Sequence, residues 1–320
     1  MAFETFARNW LESDPSKRPS TRARDRTIVE RHLIPALGST PLRRIKFGDV
    51  QALVNSWTAT LQPSTVGRQF TCLQAIMSSA VRNEKLGKSP CVGIKLPETT
   101  RRRKLILDPA VLAQLAEKLA PDGAMAYVGA ALGLRWGEVA GLRVDDVDLD
   151  NAVVSVGHQR TRGEHGRMVE GAPKSAAGVR TLAMPAGLVA ILRDHLEARG
   201  ISELDHGAYL FAGSKGGPLH YSNWRRRVWV PACRALGLPD GFRFHDLRGM
   251  NATLLIKTGA DVKTTQTRLG HSSPQVTLGL YAEATSEGDR RAAAAIDAEL
   301  FGGPDQKLAK NPTRRTLSRG

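Results

Sequence analysis

Several cationic and proton-transferring side chains occur where a helix is predicted to begin. In GLRWGEVAGLR, Arg135 follows Gly133 at the predicted start of a short helix, and Glu138 lies three residues further on. In FHDLRGM, His245 and Arg248 are three residues apart at another predicted helix start, and this spacing places them on one face. Guanidinium groups bind oxyanions, and an imidazole exchanges protons near neutral pH. The two stretches therefore supply anion-binding and proton-transferring groups.

Two further stretches carry a candidate nucleophile and a candidate proton donor. In LGHSSPQVTLGLY, His271 follows Gly270, a predicted helix C-cap, and Tyr281 lies ten residues after His271. In APKSAAGVRTLAMP, Lys174 stands at the predicted tip of a β-hairpin. Each stretch by itself is weak evidence, since a lone tyrosine after an apolar run usually packs in a core. Their common order and spacing favour the catalytic interpretation.

The order and spacing of these stretches are similar to the signature of the tyrosine recombinase family, the phage integrases. The likeness spans about residues 3–301 and includes LIPALGSTPLRRIKFGDVQALV and SPCVGIKLP, which resemble the core-binding domain of that family. It implies a mainly α fold with a small antiparallel β-sheet. The expected parts are a helical core-binding domain and an α+β catalytic domain of the DNA breaking-rejoining type.

The resemblance implies a site-specific DNA recombinase that integrates or excises a mobile element. The family transfers a phosphodiester to a tyrosine, which leaves a 3′-phosphotyrosine and a free 5′-hydroxyl. By this resemblance Tyr281 is the nucleophile, and Arg135 and Arg248 bind the non-bridging phosphate oxygens. Glu138 is expected to orient Arg135 or its helix.

The remaining site residues are expected to handle protons. A phenol with a pKa of about 10 needs help to become a nucleophile near pH 7, and His245 and His271 can give it. Lys174 is suited to protonate the departing 5′-oxygen. Fixed cations here stand where other phosphoryl-transfer enzymes place Mg²⁺, so we expect no cofactor and no metal.

The charge balance favours a polyanionic partner. The 320 residues include 46 Lys+Arg against 31 Asp+Glu, a formal net charge of +15, which suits double-stranded DNA. A membrane surface is the second candidate, but the sequence has no apolar run of transmembrane length and no amphipathic basic helix with aromatic anchors. The start MAFETFARNWLESD has acids where a signal peptide needs apolar residues. We expect a cytoplasmic, nucleoid-associated protein without a membrane partner.

The cysteines do not indicate a metal site. Cys72, Cys91 and Cys233 are far apart and form no Cys-x-x-Cys pair, so the sequence predicts neither a disulfide framework nor a zinc site. They are expected to be reduced thiols in the core or at the surface.

The first ~95 residues are predicted to be a small helical bundle. Helical apolar spacing occurs in FETFARNWLE, RARDRTIVERHLIPAL, FGDVQALVNSWTATL and PSTVGRQFTCLQAIMSSAVRNEKL. With the resemblance, residues 1–97 are expected to be the helical core-binding (SAM-like) DNA-binding domain, 98–104 a basic linker and 105–303 the catalytic domain. Residues 304–320 form a basic tail that is expected to be disordered.

The linker carries four consecutive basic residues. Arg101, Arg102, Arg103 and Lys104 suit a segment that crosses a phosphate backbone, although a solvated linker is the plainer alternative. On a chain of this charge, we expect them to bind DNA.

The catalytic segment is predicted to contain helices on either side of short strands. Helices extend to about residue 143, and Asp108 and Pro109 are a good N-cap and N1 pair. AVVSVGHQR, RMVEGAP and VRTLAMP are typical of strands. Helices are predicted again in AGLVAILRDHLEARG, in YSNWRRRVWVPACRALG and from about Asp246 to the end of AAAAIDAELF.

The resemblance also implies partners and leaves alternatives open. It implies a homo-oligomer, a tetramer on DNA, with an excision factor or a host DNA-bending protein as candidate further partners. Because the chain starts in the core-binding domain, we expect a short form without an N-terminal arm-binding domain. Gly249 and Met250 stand where the family commonly has His and a hydroxyl residue, so local packing should differ. A tyrosine topoisomerase and an inactive or regulatory DNA-binding protein of the same fold are the alternatives.

Overall fold

The chain divides into two compact units. One comprises residues 1–103 together with 161–169, and the other comprises 104–160 and 170–320. In the computed structural model, the described residues are 1–99, 105–162, 168–171, 173, 176–202, 205–213, 216–273, 275, 278 and 296. Most of the expected linker 98–104 and the whole tail 304–320 lie outside these ranges.

The first unit is a bundle of helices around one apolar core. Its helices are α1 (Phe3–Glu12), α2 (Pro19–Ile28), α3 (Ile34–Leu37), α4 (Phe47–Thr58) and α5 (Pro63–Arg82). Phe3, Phe6 and Trp10 recur at helical spacing on α1 and are buried in the core. The predicted helical segments are confirmed, and the second of them is divided into α2 and α3.

The second unit opens with helices that lead to Arg135. They are α6 (Pro109–Lys118), α7 (Ala124–Leu132) and α8 (Trp136–Val139). Asp108 caps α6 as predicted, because its side chain accepts a 2.9 Å hydrogen bond from the backbone N–H of Ala110. α7 ends at Gly133, whose φ of +65° is in the left-handed region that favours glycine. Arg135 follows as the N-cap of α8.

Short antiparallel strands follow. They are β1 (Val147–Asp148), β2 (Val153–Val156), β3 (Gln159–Arg162), β4 (Met168–Gly171) and β5 (Arg180–Ala183). One sheet has the order β1-β2-β5, with Val154 opposite Leu182, and β3 pairs with β4 separately. Along β5, Arg180 and Leu182 are buried while Thr181 and Ala183 are exposed. The predicted strands and the small antiparallel sheet are confirmed, and β5 directs an arginine inward.

The remaining helices bring the second arginine motif to α7. They are α9 (Ala186–Ala198), α10 (Tyr221–Trp224), α11 (Val230–Ala235), α12 (Phe244–Lys257) and α13 (Val262–Leu269). α12 packs closely on α7, since a Cβ at Gly129 would lie 2.8 Å from Phe244 Cζ and 3.1 Å from Leu247 Cδ1. The predicted helical stretch after residue 278 lies outside the described residues except for residue 296. Among the described helices, none is both long and apolar enough to cross a membrane.

Two predicted helices are each interrupted by a π-helical turn just before a proline. Val29–Leu33 precedes α3 and Pro35, and Arg225–Trp229 precedes α11 and Pro231. In both, the residue before the proline donates its backbone N–H to the carbonyl five residues earlier. A proline ring clashes with the carbonyl four residues before it, and the wider turn relieves that clash.

Candidate active site

Arg135 is held at the start of α8 by a carboxylate three residues away and by a carbonyl that is distant in sequence. Its Nη1 donates to Glu138 Oε1 at 2.7 Å, and its Nη2 donates to the carbonyl of Gly270 at 3.1 Å. Glu138 also accepts a 2.9 Å hydrogen bond from the backbone N–H of Arg135, as an acidic residue one turn into a helix commonly does. The Arg135 side chain is 34% exposed, so solvent and ligands can reach its guanidinium.

Arg248 reaches the same region from α12. Its Nη1 donates to the carbonyl of Gly133 at 2.6 Å, and its Nη2 donates to the carbonyl of Leu269. Asn251, one turn further along α12, donates to the carbonyl of Ala130 at 2.9 Å. α12 therefore fixes the turn between α7 and α8.

Three consecutive carbonyls at the end of α13 each accept a hydrogen bond from a different arginine. We name residues 268–270 the carbonyl turn. The last carbonyls of a helix carry partial negative charge, so they attract cations. The bonds join Arg180 Nε to the carbonyl of Arg268 at 2.8 Å, Arg248 Nη2 to that of Leu269, and Arg135 Nη2 to that of Gly270 at 3.1 Å.

Glu138 is a buried carboxylate between two arginines. Its exposed fraction is 1%, and Arg180 Nη2 donates to its Oε2 at 3.1 Å. Burial acts to raise the pKa of Glu138, but the hydrogen bond and charge of Arg180, with those of Arg135, outweigh it and lower the pKa below its ordinary value. Glu138 is therefore ionised at neutral pH.

The sequence motifs did not indicate Arg180. It is buried on β5, and its Nη1 also donates to the carbonyl of Gly178 at 2.9 Å. The available signal was strand alternation in VRTLAMP, which puts Arg180 in phase with the apolar Leu182. A charged residue in the buried phase of a strand requires a charged partner, and here that partner is Glu138.

His245 and His271 lie near the arginines, and the pKa values of both imidazoles are lowered. Partial burial and the positive charges of Arg248 and Arg135 lower the pKa of His271 to about 4. His245 keeps an exposed surface, and partial loss of hydration with the charge of Arg248 lowers its pKa as well. The backbone of His271 is fixed by Gln266, whose carbonyl accepts its N–H at 3.1 Å. Both imidazoles are therefore neutral at pH 7 and can accept a proton.

The site carries more positive than negative charge. Burial and the nearby charge of Arg135 lower the pKa of Arg248 to about 9, so it remains protonated at pH 7. Among the described residues, the three guanidiniums of Arg135, Arg180 and Arg248 lie around the carboxylate of Glu138. An anion bound beside them would relieve this excess, and a phosphate oxygen is the natural partner of a guanidinium.

The structure gathers five of the predicted site residues in one place. They are Arg135, Glu138, His245, Arg248 and His271. Lys174 and Tyr281 lie outside the described residues, as do the predicted DNA-binding residues 101–104. Their roles stay predictions.

The described residues offer neither a metal cluster nor a reactive thiol. No group of three His, Cys, Asp or Glu side chains among them could hold a metal ion. Cys72, Cys91 and Cys233 are buried, so all three of the expected thiols lie in the core. Burial raises the pKa of Cys72 to about 12 and those of Cys91 and Cys233 to about 11. These thiols stay protonated at neutral pH and are poor nucleophiles.

Comparison with known proteins covers nearly the whole chain. The sequence profile of the phage integrase family matches residues 109–287, and that of the phage integrase central domain matches residues 3–95. A putative prophage phiRv2 integrase of Mycobacterium tuberculosis is 33% identical over 97% of this chain and 79% of its own length. The integrase of Mycobacterium phage D29 is 27% identical over 86% of this chain and 73% of its own length.

Solved structures share the fold. The Tn1549 transposon integrase in complex with a circular intermediate DNA superposes with a TM-score of 0.77 at 20% identity, covering 91% of this chain and 99% of that one. A lambda integrase (75–356) dimer bound to a core site gives a TM-score of 0.65 at 16% identity, covering 86% and 97%. The expected fold, a mainly α chain with small antiparallel sheets and the core-binding and catalytic parts of these enzymes, is thereby confirmed.

Proposed function

Because the chain belongs to the phage integrase family and is a site-specific DNA recombinase, we propose that it cleaves and rejoins double-stranded DNA through a 3′-phosphotyrosine formed on Tyr281. The observation that carries this proposal is the convergence of two arginines and two histidines beside the carbonyl turn. They come from three separate parts of the chain, and the chemistry requires all of them at one phosphate.

Arg135 and Arg248 bind the non-bridging oxygens of the scissile phosphate. A guanidinium has five N–H donors. Within the described part of the chain, each of these two arginines uses two nitrogens on protein acceptors, which fixes its plane and leaves other N–H groups for the ligand. The donors are oriented before the substrate arrives, so charge that develops in the transition state meets hydrogen bonds already in place.

His245 and His271 manage the proton of the nucleophile. Both imidazoles are neutral at pH 7, since their pKa values are lowered by burial and by the arginine charges. A bound phosphate offsets those charges and raises the histidine pKa values again, so the site becomes a better proton acceptor when DNA is present. This couples activation of Tyr281 to substrate binding.

The reaction conserves the number of phosphodiester-type bonds. The Oη of Tyr281 attacks phosphorus, the bond from phosphorus to the 5′-oxygen breaks, and Lys174 gives that oxygen a proton. A 5′-hydroxyl from the partner duplex then attacks the phosphotyrosine, and the tyrosine leaves. The second step reverses the first with a different strand, so no external energy source is needed.

Assembly and cellular setting follow from the reaction. Exchange between two duplexes breaks four strands, and each protomer carries one Tyr281, so the working unit is a homotetramer on two DNA sites. An excision factor or a host DNA-bending protein would set direction. The substrate DNA places the enzyme in the cytoplasm with the nucleoid. Its role is integration or excision of a mobile element such as a viral genome, as the names of the prophage and phage relatives suggest.

The basic stretch of the chain between the two matched profiles contributes to DNA binding. Arg101, Arg102, Arg103 and Lys104 fall between residues 95 and 109, where the two profiles end and begin. Four adjacent cations favour phosphate contacts without sequence preference. Replacing all four with glutamine should weaken binding to specific and non-specific DNA alike and reduce its salt dependence.

A suicide substrate tests the proposal. Candidate site DNA with a nick close to the cleavage position loses its short 5′-hydroxyl strand after cleavage, which traps the covalent complex. The wild type should form an adduct in EDTA, and Tyr281→Phe should form none. Tyr127→Phe is the matched control and should retain the adduct. An adduct that persists in Tyr281→Phe, or one that requires Mg²⁺, would overturn the mechanism.

The same material separates recombination from the two alternatives. A plasmid with two directly repeated sites should give two circular products, whereas a tyrosine topoisomerase would give only relaxed circles. A regulatory protein without activity would bind the sites and form no adduct.

A further inference from the structure

We infer that Arg180 is a positioning residue for DNA cleavage, which holds Glu138 and the carbonyl turn in the places from which they orient Arg135. This inference rests on the proposed function, because it assigns a role within the cleavage reaction. Arg180 acts through its neighbours and does not touch the phosphate.

The guanidinium of Arg180 is enclosed by protein acceptors. Its contacts go to the carboxylate of Glu138 and to the carbonyls of Gly178 and Arg268. The Arg180 side chain is 4% exposed, compared with 34% for Arg135. Among the described contacts, all three nitrogens of Arg180 donate to protein acceptors, whereas Arg135 and Arg248 each use two of theirs. Arg180 therefore has the fewest N–H groups left for a phosphate that arrives from solvent.

Arg180 contacts both groups that hold Arg135. One is the carboxylate of Glu138, which Arg180 Nη2 approaches at 3.1 Å. The other is the carbonyl turn, where a Cβ on Gly270 would lie 2.9 Å from Arg180 Nη1 and 2.8 Å from the carbonyl oxygen of Ala177. Loss of Arg180 therefore releases both partners of Arg135 together.

Arg180 also sets the charge of Glu138. The carboxylate faces cations from three elements, namely Arg135 at the start of α8, Arg180 on β5 and Arg248 on α12. Burial raises the pKa of Glu138, and the hydrogen bond from Arg180 is the largest of the influences that lower it. Without Arg180 the pKa of Glu138 rises, and the carboxylate becomes protonated at a higher pH. A protonated Glu138 holds Arg135 less firmly, so cleavage should decline at a higher pH than in the wild type.

The test compares three variants with the wild type. Arg180→Met removes the charge at similar length, and Arg180→Lys keeps a charge without the planar fork. Arg199→Met is the matched control, since Arg199 also binds a buried carboxylate, that of Asp122 at 2.7 Å, and a carbonyl, that of Ala212 at 3.0 Å. Each protein is assayed for the rate of adduct formation on the nicked substrate from about pH 5.5 to about pH 8.5, and for DNA affinity at one salt concentration.

We expect Arg180→Met to form the adduct about 10- to 100-fold more slowly at pH 7, as displaced catalytic groups commonly do. The DNA affinity of Arg180→Met should match that of Arg199→Met. Its rate of adduct formation should begin to fall, as pH is lowered, at a higher pH than that of the wild type. Arg180→Lys should recover part of the rate. In the double variant Glu138→Gln/Arg180→Met, the displaced acid limb should disappear, because the titrating carboxyl is gone.

The outcomes distinguish failure of this inference from failure of the proposed function. If Arg180→Met matches Arg199→Met in rate and pH profile, or loses only DNA affinity, Arg180 has no positioning role although recombination stands. If neither the wild type nor Arg199→Met forms an adduct, the proposed function fails and this inference fails with it. If Arg180→Met lacks a thermal unfolding transition, Arg180→Lys decides the question. That variant lacks the planar fork, so a wild-type rate of adduct formation in it would contradict the inference.

Discussion

Two buried carboxylates in the second unit lie beside arginines, yet their pKa values move in opposite directions. Asp122 is 8% exposed and accepts from Arg199 at 2.7 Å, whereas Glu138 is 1% exposed and lies between Arg135 and Arg180. Burial raises the pKa of Asp122 in spite of Arg199, while the two arginines more than offset the burial of Glu138. The more deeply buried acid is the one whose pKa is lowered.

The difference separates a structural ion pair from a cationic site that is suited to bind an anion. We name Asp122 and Arg199 the Asp122 cluster, and Arg135, Glu138, Arg180 and Arg248 the Glu138 cluster. The Asp122 cluster pairs one cation with one anion and joins α9 to the segment before α7. The Glu138 cluster has more arginines than acids. Excess cation in a buried place costs folding free energy unless an anion completes it, which is why we assign phosphate chemistry to this cluster alone.

The largest expected effect comes from removing one arginine from each cluster. Arg248→Ala should slow DNA cleavage by about 10²- to 10³-fold or more, the usual cost of losing one transition-state donor. Arg199→Ala should lower the melting temperature and leave the cleavage rate of the folded protein near that of the wild type. Suicide-substrate rates, corrected for the folded fraction, measure both. Equal losses of cleavage rate in Arg248→Ala and Arg199→Ala would contradict the assignment of different roles to the two clusters.

Neutralising the two carboxylates should separate activity from stability. Glu138→Gln keeps the shape but weakens the hold on Arg135, so cleavage should fall by about 10- to 100-fold. Asp122→Asn should instead reduce the free energy of unfolding by about 1–3 kcal/mol, the cost of disturbing a buried polar pair. Urea unfolding and single-turnover cleavage report on these quantities separately. A Glu138→Gln enzyme with wild-type rates would refute the orienting role of Glu138.

Part of the candidate site could be predicted from sequence motifs, and part could not. The sequence indicates Arg135, His245, Arg248 and His271 because they lie at or near predicted helix ends and because their order and spacing resemble the family signature. Arg180 was missed, since its role depends on strand phase and on a partner 42 residues earlier. The carbonyl turn could not be foreseen either, because backbone acceptors leave no residue-type signature.

The same limit applies to the helices. Apolar periodicity predicted α2 with α3, and α10 with α11, as continuous segments, and it could not place the π-helical turns that interrupt them. A proline in the sequence warns of a kink. Whether the chain responds with a break or with one wider turn depends on how the flanking helices pack.

The pH dependence of stability should have opposite signs for the two carboxylates. The folded pKa of Glu138 lies below its unfolded value of about 4.3, so its ionised form stabilises the fold above that pH, and this contribution is lost as pH falls through the folded pKa. The folded pKa of Asp122 is raised, so ionisation costs stability above it, and that cost disappears as pH falls.

Melting temperatures measured from about pH 7 to about pH 3 test these signs. The advantage of the wild type over Glu138→Gln should shrink toward acid, and its advantage over Asp122→Asn should grow. If the advantage of the wild type changes in the same direction for both variants as pH falls, the two carboxylates do not differ in the way proposed.

Two glycines with the same backbone conformation offer a smaller and well-matched contrast. Gly270 in the carbonyl turn has φ +61°, and Gly200, next to Arg199, has φ +60°. A Cβ on Gly200 meets nothing within 4 Å, whereas one on Gly270 would lie 2.8 Å from the carbonyl oxygen of Ala177. Gly200→Ala should cost only the left-handed strain, about 1 kcal/mol. Gly270→Ala should cost more and also slow cleavage. Equal melting temperatures for the two variants would contradict the packing of the turn.

The smallest expected effect is a shift in the pKa of His271 when the wild-type protein binds DNA. Burial and the charges of Arg248 and Arg135 lower the pKa of His271 to about 4 in the free protein, and a bound phosphate should raise it. Selective ¹³C labelling of histidine, with assignment by a His271→Gln variant, would follow this titration with and without uncleavable site DNA. A His271 signal that titrates identically in both states would place the phosphate elsewhere.

Mass spectrometry of the trapped complex tests the central claim most directly. After the wild type reacts with the nicked substrate, nuclease and protease digestion should leave a peptide in which Tyr281 carries a nucleotide through its 3′-phosphate. Attachment through a 5′-phosphate, or attachment to any residue other than Tyr281, would contradict the assignment of the Glu138 cluster as the centre of a tyrosine-dependent cleavage reaction.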